Sequence, residues 1–179
     1  MINRTTILIN YGKIYSMPTI ENSESEILIL GTIPGGESLK YQQYYQNKDN
    51  LFWDIMFRIC NPNWPFFEEV YAIPYEKRKQ LLLDNKISLW DILESCERDG
   101  NSDRTIKNER LNDLETYLKL HPKIRKICFN GQKAYSYYKK MVYNLPQKIH
   151  PIELYSISPS SSVNSFSILK QWRNAIKEI

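Results

Sequence analysis

Three apolar runs, each followed by a loop of small or polar residues and then by a helical pattern, constrain the fold most strongly. The runs are EILILG at 26–31, KIRKICFNG at 123–131 and PIELYSI at 151–157, and a further short buried run ends the segment 79–93. Strands that alternate with helices along one chain predict a parallel sheet with helices on both faces. We therefore predict an α/β fold, a three-layer α/β/α sandwich around a central, mainly parallel four-stranded sheet.

The helical patterns between these runs support this prediction. Residues 50–60, NLFWDIMFRIC, place apolar side chains at helical spacing, and residues 132–143 and the segment after the last loop do the same. Residues 108–122 are also expected to be helical and to stop at Pro122. No internal repeat or linker divides the 179 residues, so we predict a single domain over 1–179.

Cysteine and histidine placement gives no support for a metal site, a disulfide framework or a cofactor. Cys60, Cys96 and Cys128 stand far apart and form no C-x-x-C pair. His121 and His150 each precede a proline and are expected in loops. No secretion signal or membrane span is recognisable, so we expect a cytoplasmic protein without metal or cofactor. The net charge of +4 permits a polyanionic partner without requiring one.

The loops at the carboxyl ends of the strands are the expected binding region, as in other parallel α/β sheets. The first of them, GTIPGGES, is neither a P-loop nor a dinucleotide fingerprint, because Glu37 follows Gly36 and Pro34 interrupts the glycine spacing. Its glycines would let backbone amides approach a ligand closely. An ordinary structural turn is the alternative interpretation.

Taken together, the loops resemble those of the uracil-DNA glycosylase superfamily, and most of all its hypoxanthine (deoxyinosine) branch. The G-x-x-P-G motif is matched at residues 31–35, and the longer pattern that ends in S-L extends to Leu39. Further likenesses are the pair Tyr44-Tyr45, the N-x-F-W motif at 50–53, LWDIL at 89–93, CERDGNSDRTIKN at 96–108, FNG at 129–131 and the serine-rich loop. The resemblance covers about residues 17–174 and depends on the ordered set of motifs.

The resemblance implies a catalytic residue that differs from the one used by other branches. In the mismatch-specific branch an Asn precedes the motif proline and positions the attacking water, whereas Ile33 stands there in this chain. The hypoxanthine branch draws its polar group from the Asn of N-x-F-W, which is Asn50 here. Asn50 could instead only cap the following helix, since Asn is a common N-cap. Asp49 is the alternative catalytic candidate.

The resemblance also implies a base-binding set. Tyr45 takes the place of a Phe that stacks on the extruded base in the mismatch-specific branch, and Tyr44 is the fallback. Asn130 resembles an amide that reads a base edge by donating and accepting together, although an Asn before Gly is also a common turn residue. The remaining members of the predicted base-binding set are Gly31, Thr32, Ile33, Pro34, Gly35 and Phe52.

The third, serine-rich loop, SISPSSSVN at 156–164, resembles the superfamily segment that enters the minor groove and binds phosphates beside the flipped nucleotide. Two related motifs fit it in frames that differ by one residue, and a helix-capping role is the alternative interpretation. The predicted DNA-binding set is Gly36, Ser38, Ser158, Pro159, Ser160, Ser161 and Ser162.

These resemblances imply a monofunctional DNA glycosylase that acts on a deaminated base, hypoxanthine or uracil. The expected partner is double-stranded or single-stranded DNA that contains a damaged base, with no membrane partner, and we expect a monomer. Three alternatives stay open at this point: a glycosylase for mismatched uracil or thymine or for a modified base, a catalytically silent DNA-binding relative, and a protein that binds nucleotides outside DNA.

Overall fold

The computed structural model describes residues 12–65, 69–141 and 149–177 of the chain. The described strands are β1 (Lys13–Tyr15), β2 (Ile27–Gly31), β3 (Ile87–Asp91), β4 (Leu93–Glu97), β5 (Lys107–Leu111), β6 (Lys126–Asn130) and β7 (His150–Leu154). The described helices are α1 (Gly36–Tyr41), α2 (Phe52–Cys60), α3 (Tyr75–Asp84), α4 (Leu114–Leu120), α5 (Gln132–Met141) and α6 (Ser165–Lys177). Short 3-10 turns lie at Val70–Ala72 and Asp103–Thr105.

The central sheet contains four parallel strands in the order β3-β2-β6-β7, which confirms the predicted architecture. All five residues of β2 are buried, because this strand lies inside the sheet and helices cover both faces. A strand buried on both faces has a continuous apolar sequence instead of an alternating one. The run ILIL at 27–30 therefore identified a central strand correctly.

Alternate residues of the central strands pack into two separate cores. Ile27 and Ile29 of β2 join Phe52 of α2, Leu82 of α3 and Trp172 of α6 in one core. Helices α2, α3 and α6 therefore cover one face of the sheet.

The second core lies on the opposite face. Leu28 and Leu30 of β2 pack there with Leu118 of α4 and with Ala134 and Tyr138 of α5. Because successive side chains of a strand point to opposite faces, a single strand contributes to both cores. The three-layer sandwich follows from this arrangement.

A second sheet of three strands, in the order β1-β4-β5, is antiparallel and was not predicted. It corrects the expectation of a helix over 108–122, since residues 107–111 form β5 and α4 begins at Leu114. The β5 side chains are all exposed, and the strand is held by pairing with β4, which no local pattern reveals. Helix α4 begins where the Asp113 side chain accepts a hydrogen bond from the Thr116 amide at 3.0 Å.

The carboxyl ends of the central strands meet at one edge of the sheet. Gly31, Asp91 and Asn130 are the last residues of β2, β3 and β6. His150 is the first residue of β7, so it lies at the opposite edge and inside a strand, which corrects its expected place in a loop. In the described part of the chain, no helix has the length and apolar character needed to cross a membrane.

Candidate active site

A cavity of about 580 Å³ opens at the carboxyl edge of the central sheet. All three loops that the sequence singled out contribute to its lining. The predicted site residues in this lining are Gly31, Thr32, Ile33, Pro34, Gly35, Gly36, Ser38, Tyr45, Asn50, Asn130, Ser158, Pro159 and Ser160. The structure therefore brings most of the predicted set together, although the members are spread over 130 positions of sequence.

A second cavity, of about 600 Å³, lies at the opposite edge of the sheet and contains none of the predicted site residues. Its walls include Ile27, Ile152, Leu154 and Ala175, and Arg125 and His150 lie at the same edge. The cavity at the carboxyl edge is the candidate active site, because parallel α/β sheets bind ligands at the carboxyl ends of their strands.

The glycine loop, GTIPGGES at 31–38, begins at the end of β2, where a side chain on its first residue would collide with neighbouring side chains. A Cβ atom on Gly31 would come within 2.9 Å of Asp91 Oδ1 and within 2.9 Å of Tyr45 Oη. Such contacts are too short for real atoms, so a side chain at this position would force the Asp91 or Tyr45 side chain to move. The close approach of backbone, carboxyl group and tyrosine hydroxyl defines the floor of the cavity.

Tyr45 stacks on Phe52 with ring centroids 4.2 Å apart and planes inclined by 23°. Phe52 is fully buried and lies outside the cavity lining, so it supports Tyr45 from behind. The backbone of Tyr45 has φ of 53°, a left-handed conformation that is strained for a bulky residue. Burial raises the pKa of Tyr45, so its hydroxyl stays neutral. The residue with this strained backbone is therefore one whose side chain lines the cavity.

Side chains from the 3-10 turn at 70–72 and from α3 hold the loop that carries Tyr45. The Tyr71 hydroxyl lies among the carbonyl oxygens of Tyr45, Asn47 and Asn50, at 3.0, 2.7 and 3.1 Å. Tyr75 Oη accepts a hydrogen bond from the Tyr44 amide at 2.9 Å. These contacts hold the strained loop conformation in place.

Arg78 braces the same loop from helix α3. It is buried, lies 5.3 Å from the ring centroids of Trp53, Tyr71 and Tyr75, and is surrounded by these aromatic side chains. Its Nη2 donates to Oε1 of Gln43 at 3.0 Å and of Gln46 at 3.1 Å. Burial lowers the pKa of this guanidinium group.

Asn50 lines the cavity and lies two residues before the first residue of helix α2. Its Oδ1 accepts a hydrogen bond from the Phe52 amide at 2.9 Å, although the N-cap position of the helix is Leu51, which makes no side-chain cap bond. Among the described residues, no hydrogen-bond partner is found for its Nδ2. Asp49 is exposed and lies outside the lining of the cavity. The structure thus places Asn50, and not Asp49, beside the predicted base-binding residues.

The Asn130 amide connects two of the loops. Its Nδ2 donates to Tyr45 Oη at 3.0 Å, and its Oδ1 accepts a hydrogen bond from the Ile157 amide at 3.1 Å. Both ends of the amide are therefore engaged within the protein. Each end keeps capacity for a second hydrogen bond, one more N–H on Nδ2 and one more lone pair on Oδ1, so these two bonds do not conflict with the base-reading role predicted for Asn130.

The serine-rich loop enters the cavity with its first three predicted members. Ser158, Pro159 and Ser160 line the cavity, and the hydroxyls of Ser158 and Ser160 lie 2.9 Å apart. Ser161 and Ser162 lie outside the lining, and Ser161 Oγ accepts a hydrogen bond from the Val163 amide at 3.3 Å. Helix α6 is begun by Asn164, whose Oδ1 accepts from the Ser167 amide at 2.9 Å.

Comparison with known proteins agrees with this geometry. The family described as the uracil DNA glycosylase superfamily matches residues 18–177, which include all three cavity loops. The chain belongs to the uracil-DNA glycosylase superfamily. Its match spans nearly every described element of the fold.

Within this superfamily the chain is similar to two archaeal proteins named hypoxanthine DNA glycosylase. The protein of Methanosarcina acetivorans is 38% identical over 120 residues, 67% of this chain and 72% of that protein. The protein of Methanosarcina barkeri is 35% identical over the same shares of the two chains. A solution NMR structure of a protein described as a putative uracil DNA glycosylase from M. acetivorans superposes with a TM-score of 0.77 at 31% identity, covering 93% of this chain and 98% of that one.

One polar residue of this superfamily member was missed as a site residue. Asp91 lines the cavity floor, but the sequence analysis quoted it only within LWDIL and gave it no role. Burial raises its pKa to about 7. Its position was a usable signal, because an Asp that ends a buried strand falls at the same sheet edge as Gly31 and Asn130.

The segment after β4 was also missed as part of the site of this uracil-DNA glycosylase relative. Arg98 donates to the Pro34 carbonyl at 2.7 Å and pairs with Asp103 at 3.3 Å. Asn101 Oδ1 accepts a hydrogen bond from the Gly36 amide at 2.8 Å. The segment therefore holds the glycine loop in place, and its residues Arg98, Asn101 and Arg104 line the cavity.

No group of three or more side chains of the metal-binding types lies close enough together to hold a metal ion in the part of the chain that the structure describes. The three cysteines are free, and Cys96 and Cys128 are buried.

Proposed function

We propose that the protein is a DNA glycosylase that hydrolyses the N-glycosidic bond of a deaminated base, with hypoxanthine as the principal substrate and uracil as a further one. The observation that carries this proposal is the cavity in which Tyr45, stacked on Phe52, faces the same space as Asn50 and the glycine loop. The two archaeal relatives named hypoxanthine DNA glycosylase support the choice of base.

The mechanism begins with extrusion of the damaged nucleotide from the stack. The flipped base stacks on the Tyr45 ring, which is braced by Phe52 and by the hydrogen bond from Asn130. As the base leaves, the sugar acquires positive charge, which nearby DNA phosphates stabilise. The Asn50 amide, whose oxygen is used by the Phe52 amide, offers its Nδ2 to orient the attacking water.

Residues that line the cavity are proposed to bind the DNA backbone. The predicted DNA-binding residues Gly36, Ser38 and Ser158–Ser160 line the cavity, the hydroxyls of Ser158 and Ser160 are available for phosphate contacts, and the exposed side chains of Arg104 and Lys133 provide positive charge. We propose that the protein acts as a monomer and without a cofactor. The free cysteines support a reducing compartment, the cytoplasm.

A panel of duplexes, each with a single hypoxanthine, uracil, xanthine or modified base opposite each normal base, tests the proposal. We expect wild-type protein to create an alkali-labile site in the hypoxanthine duplexes, with free hypoxanthine as the released product. Excision from uracil mismatches alone would favour the mismatch-type glycosylase. Binding to lesion duplexes without any alkali-labile product would identify a silent DNA-binding relative and overturn the proposal.

A further inference from the structure

The mechanism proposed above makes no use of Asp91, the carboxyl group at the floor of the cavity. Asp91 is only 3% exposed, yet it belongs to the lining, at the end of strand β3 and in register with Gly31. Burying a carboxyl group in an apolar sheet is unfavourable unless its environment compensates. The surroundings of its two oxygens differ, and that difference indicates its role.

One carboxyl oxygen of Asp91 is hydrogen-bonded to neighbouring side chains, and the other lies on the cavity side. Oδ2 lies 3.0 Å from Ser16 Oγ and 3.1 Å from Tyr44 Oη. Oδ1 lies beside Gly31 and near Tyr45 Oη, and no hydrogen-bond partner for it is found among the described residues. The unpaired oxygen is therefore next to the ring on which the base is proposed to stack.

The contacts of Oδ2 satisfy both protonation states of Asp91. Ser16 Oγ and Tyr44 Oη each carry one proton, and each also lies within hydrogen-bond distance of the Met17 carbonyl oxygen, at 3.2 and 3.1 Å. When Asp91 is ionised, both hydroxyls can donate to Oδ2. When it is protonated, one hydroxyl can rotate toward Met17. The group can lose and regain a proton without any movement of heavy atoms.

The charged and titratable groups around Asp91 leave its ionisation balanced near neutrality. Burial raises the pKa of Asp91 to about 7, and Asp103 acts in the same direction, whereas the Ser16 and Tyr44 hydroxyls and Arg98 oppose the rise. Tyr45 and Tyr75 also face it, and burial raises the pKa of both, so they remain neutral. A group balanced in this way can act as an acid at physiological pH.

We propose that Asp91 is a catalytic general acid that donates its Oδ1 proton to a ring nitrogen of the departing purine. This inference depends on the proposed glycosylase function. The bond from C1′ to the base nitrogen breaks, its electron pair stays with the base, and the base takes the proton from Asp91. Water adds its oxygen to C1′, and the proton it releases restores the acid through solvent. The sum is one water consumed, with a free base and an abasic sugar formed.

The chemistry of the base fits this acid. Hypoxanthine retains ring nitrogens with a free electron pair when it is attached to the sugar, and these can accept a proton. Uracil has none and departs with its charge on carbonyl oxygens. An acid beside the base therefore favours release of a deaminated purine.

Single-turnover excision of hypoxanthine between pH 5.5 and 9 tests the proposal with wild type, Asp91→Asn and Ser16→Ala. We expect the wild-type rate to fall about tenfold per unit above a pH near 7. Asp91→Asn keeps the shape of the group but cannot transfer a proton, so its rate at pH 6 falls about 100-fold and becomes independent of pH. At pH 9 the two proteins converge.

Ser16→Ala removes a donor that favours the ionised form, which raises the pKa of Asp91. Its descending limb should therefore move to higher pH while the rate at pH 6 is unchanged. This variant tests the proposal even where Asp91→Asn does not fold, and abasic-duplex binding reports folding of both.

The proposal is overturned if Asp91→Asn excises at the wild-type rate or keeps the descending limb of the pH–rate profile. It is also overturned if that limb does not move in Ser16→Ala. These outcomes leave the glycosylase function intact, because the wild type still excises the base. A wild type that excises no base overturns the proposed function and this inference together.

Discussion

The Asn50 side chain makes a hydrogen bond to the backbone and is also proposed to orient the attacking water, and substitutions can separate these two contributions. Losing its amide should lower single-turnover excision about 100-fold, which corresponds to about 3 kcal/mol of transition-state stabilisation. Losing the bond from its Oδ1 to the Phe52 amide, 2.9 Å long, should lower the free energy of unfolding by about 1 kcal/mol. We expect Asn50→Ala to show both effects, measured by rapid-quench kinetics and by urea denaturation.

Asn50→Ser and Asp49→Ala are the matched controls. A serine hydroxyl can also accept a hydrogen bond from the backbone amide two residues on, so Asn50→Ser should keep most of the stability and still lose the excision rate. Asp49 is exposed and outside the cavity, so Asp49→Ala should excise at the wild-type rate. If Asn50→Ala excised at the wild-type rate and Asp49→Ala showed no excision, the catalytic role would belong to Asp49.

Tyr45 is expected to contribute its ring more than its hydroxyl. Stacking of a base on an aromatic side chain is worth about 1–3 kcal/mol, so Tyr45→Ala should lower single-turnover excision about 10- to 100-fold. Tyr45→Phe keeps the ring and loses the bond from Asn130 Nδ2, 3.0 Å long, so its excision should stay within a few-fold of wild type. Equal losses in the two variants would mean that the hydroxyl matters and the stacking does not.

Asp91 should also make stability depend on pH. Its pKa rises from an ordinary value of 3.8 to about 7 in the folded protein. Between these values the folded protein holds a proton that the unfolded chain has released, so the free energy of unfolding decreases as the pH rises. Urea denaturation at pH 5 and pH 8 should show a decrease that is smaller in Asp91→Asn, by on the order of 1–3 kcal/mol. The same decrease in both proteins would mean that Asp91 is ionised throughout.

At the scale of elements, the segment between β4 and β5 acts as a support for the glycine loop. The Arg98 side chain is 2% exposed and donates to the Pro34 carbonyl, whereas Arg104 of the same segment is exposed. Arg98→Ala should lower the free energy of unfolding by about 2 kcal/mol, because it leaves the Pro34 carbonyl and Asp103 without their partner.

Arg104→Ala is the control in the same segment. It should leave the free energy of unfolding within about 0.5 kcal/mol of wild type and weaken abasic-DNA binding. The slope of log affinity against log salt should decrease by about 1, as expected for one lost phosphate contact. If Arg98→Ala were as stable as wild type, the segment would not support the loop.

At the scale of the whole molecule, the proposed chemistry needs neither a metal ion nor a covalent enzyme–sugar intermediate. Excision should therefore continue in EDTA, and abasic DNA should accumulate uncut. No lysine is placed by the motifs to form a Schiff base with the sugar. Activity that is lost in EDTA and restored by a divalent metal would contradict the first expectation, and borohydride trapping of protein on DNA would contradict the second.

The sequence by itself determined the three layers and about half of the cavity lining. Apolar runs such as 27–30 identify strands buried on both faces, and the loops after them must meet at one edge of a parallel sheet. The resemblance to the glycosylase superfamily added Tyr45 and Asn50, so that these two residues, Gly31 and Ser158 could be assigned to one site before their contacts were known. Burial patterns are local, which is why a sequence reveals them.

Only the tertiary structure decided what the polar groups of this site do. The Asp91 carboxyl is hydrogen-bonded to Ser16, which is 75 positions away in the sequence. The Arg98 side chain is hydrogen-bonded to the Pro34 carbonyl, which is 64 positions away. Asn130 is bonded to Tyr45, and β5 is a strand because it pairs with β4. Hydrogen bonds, pKa values and strand pairing are set by neighbours in space, and the distance in sequence between these partners leaves no periodic pattern to read.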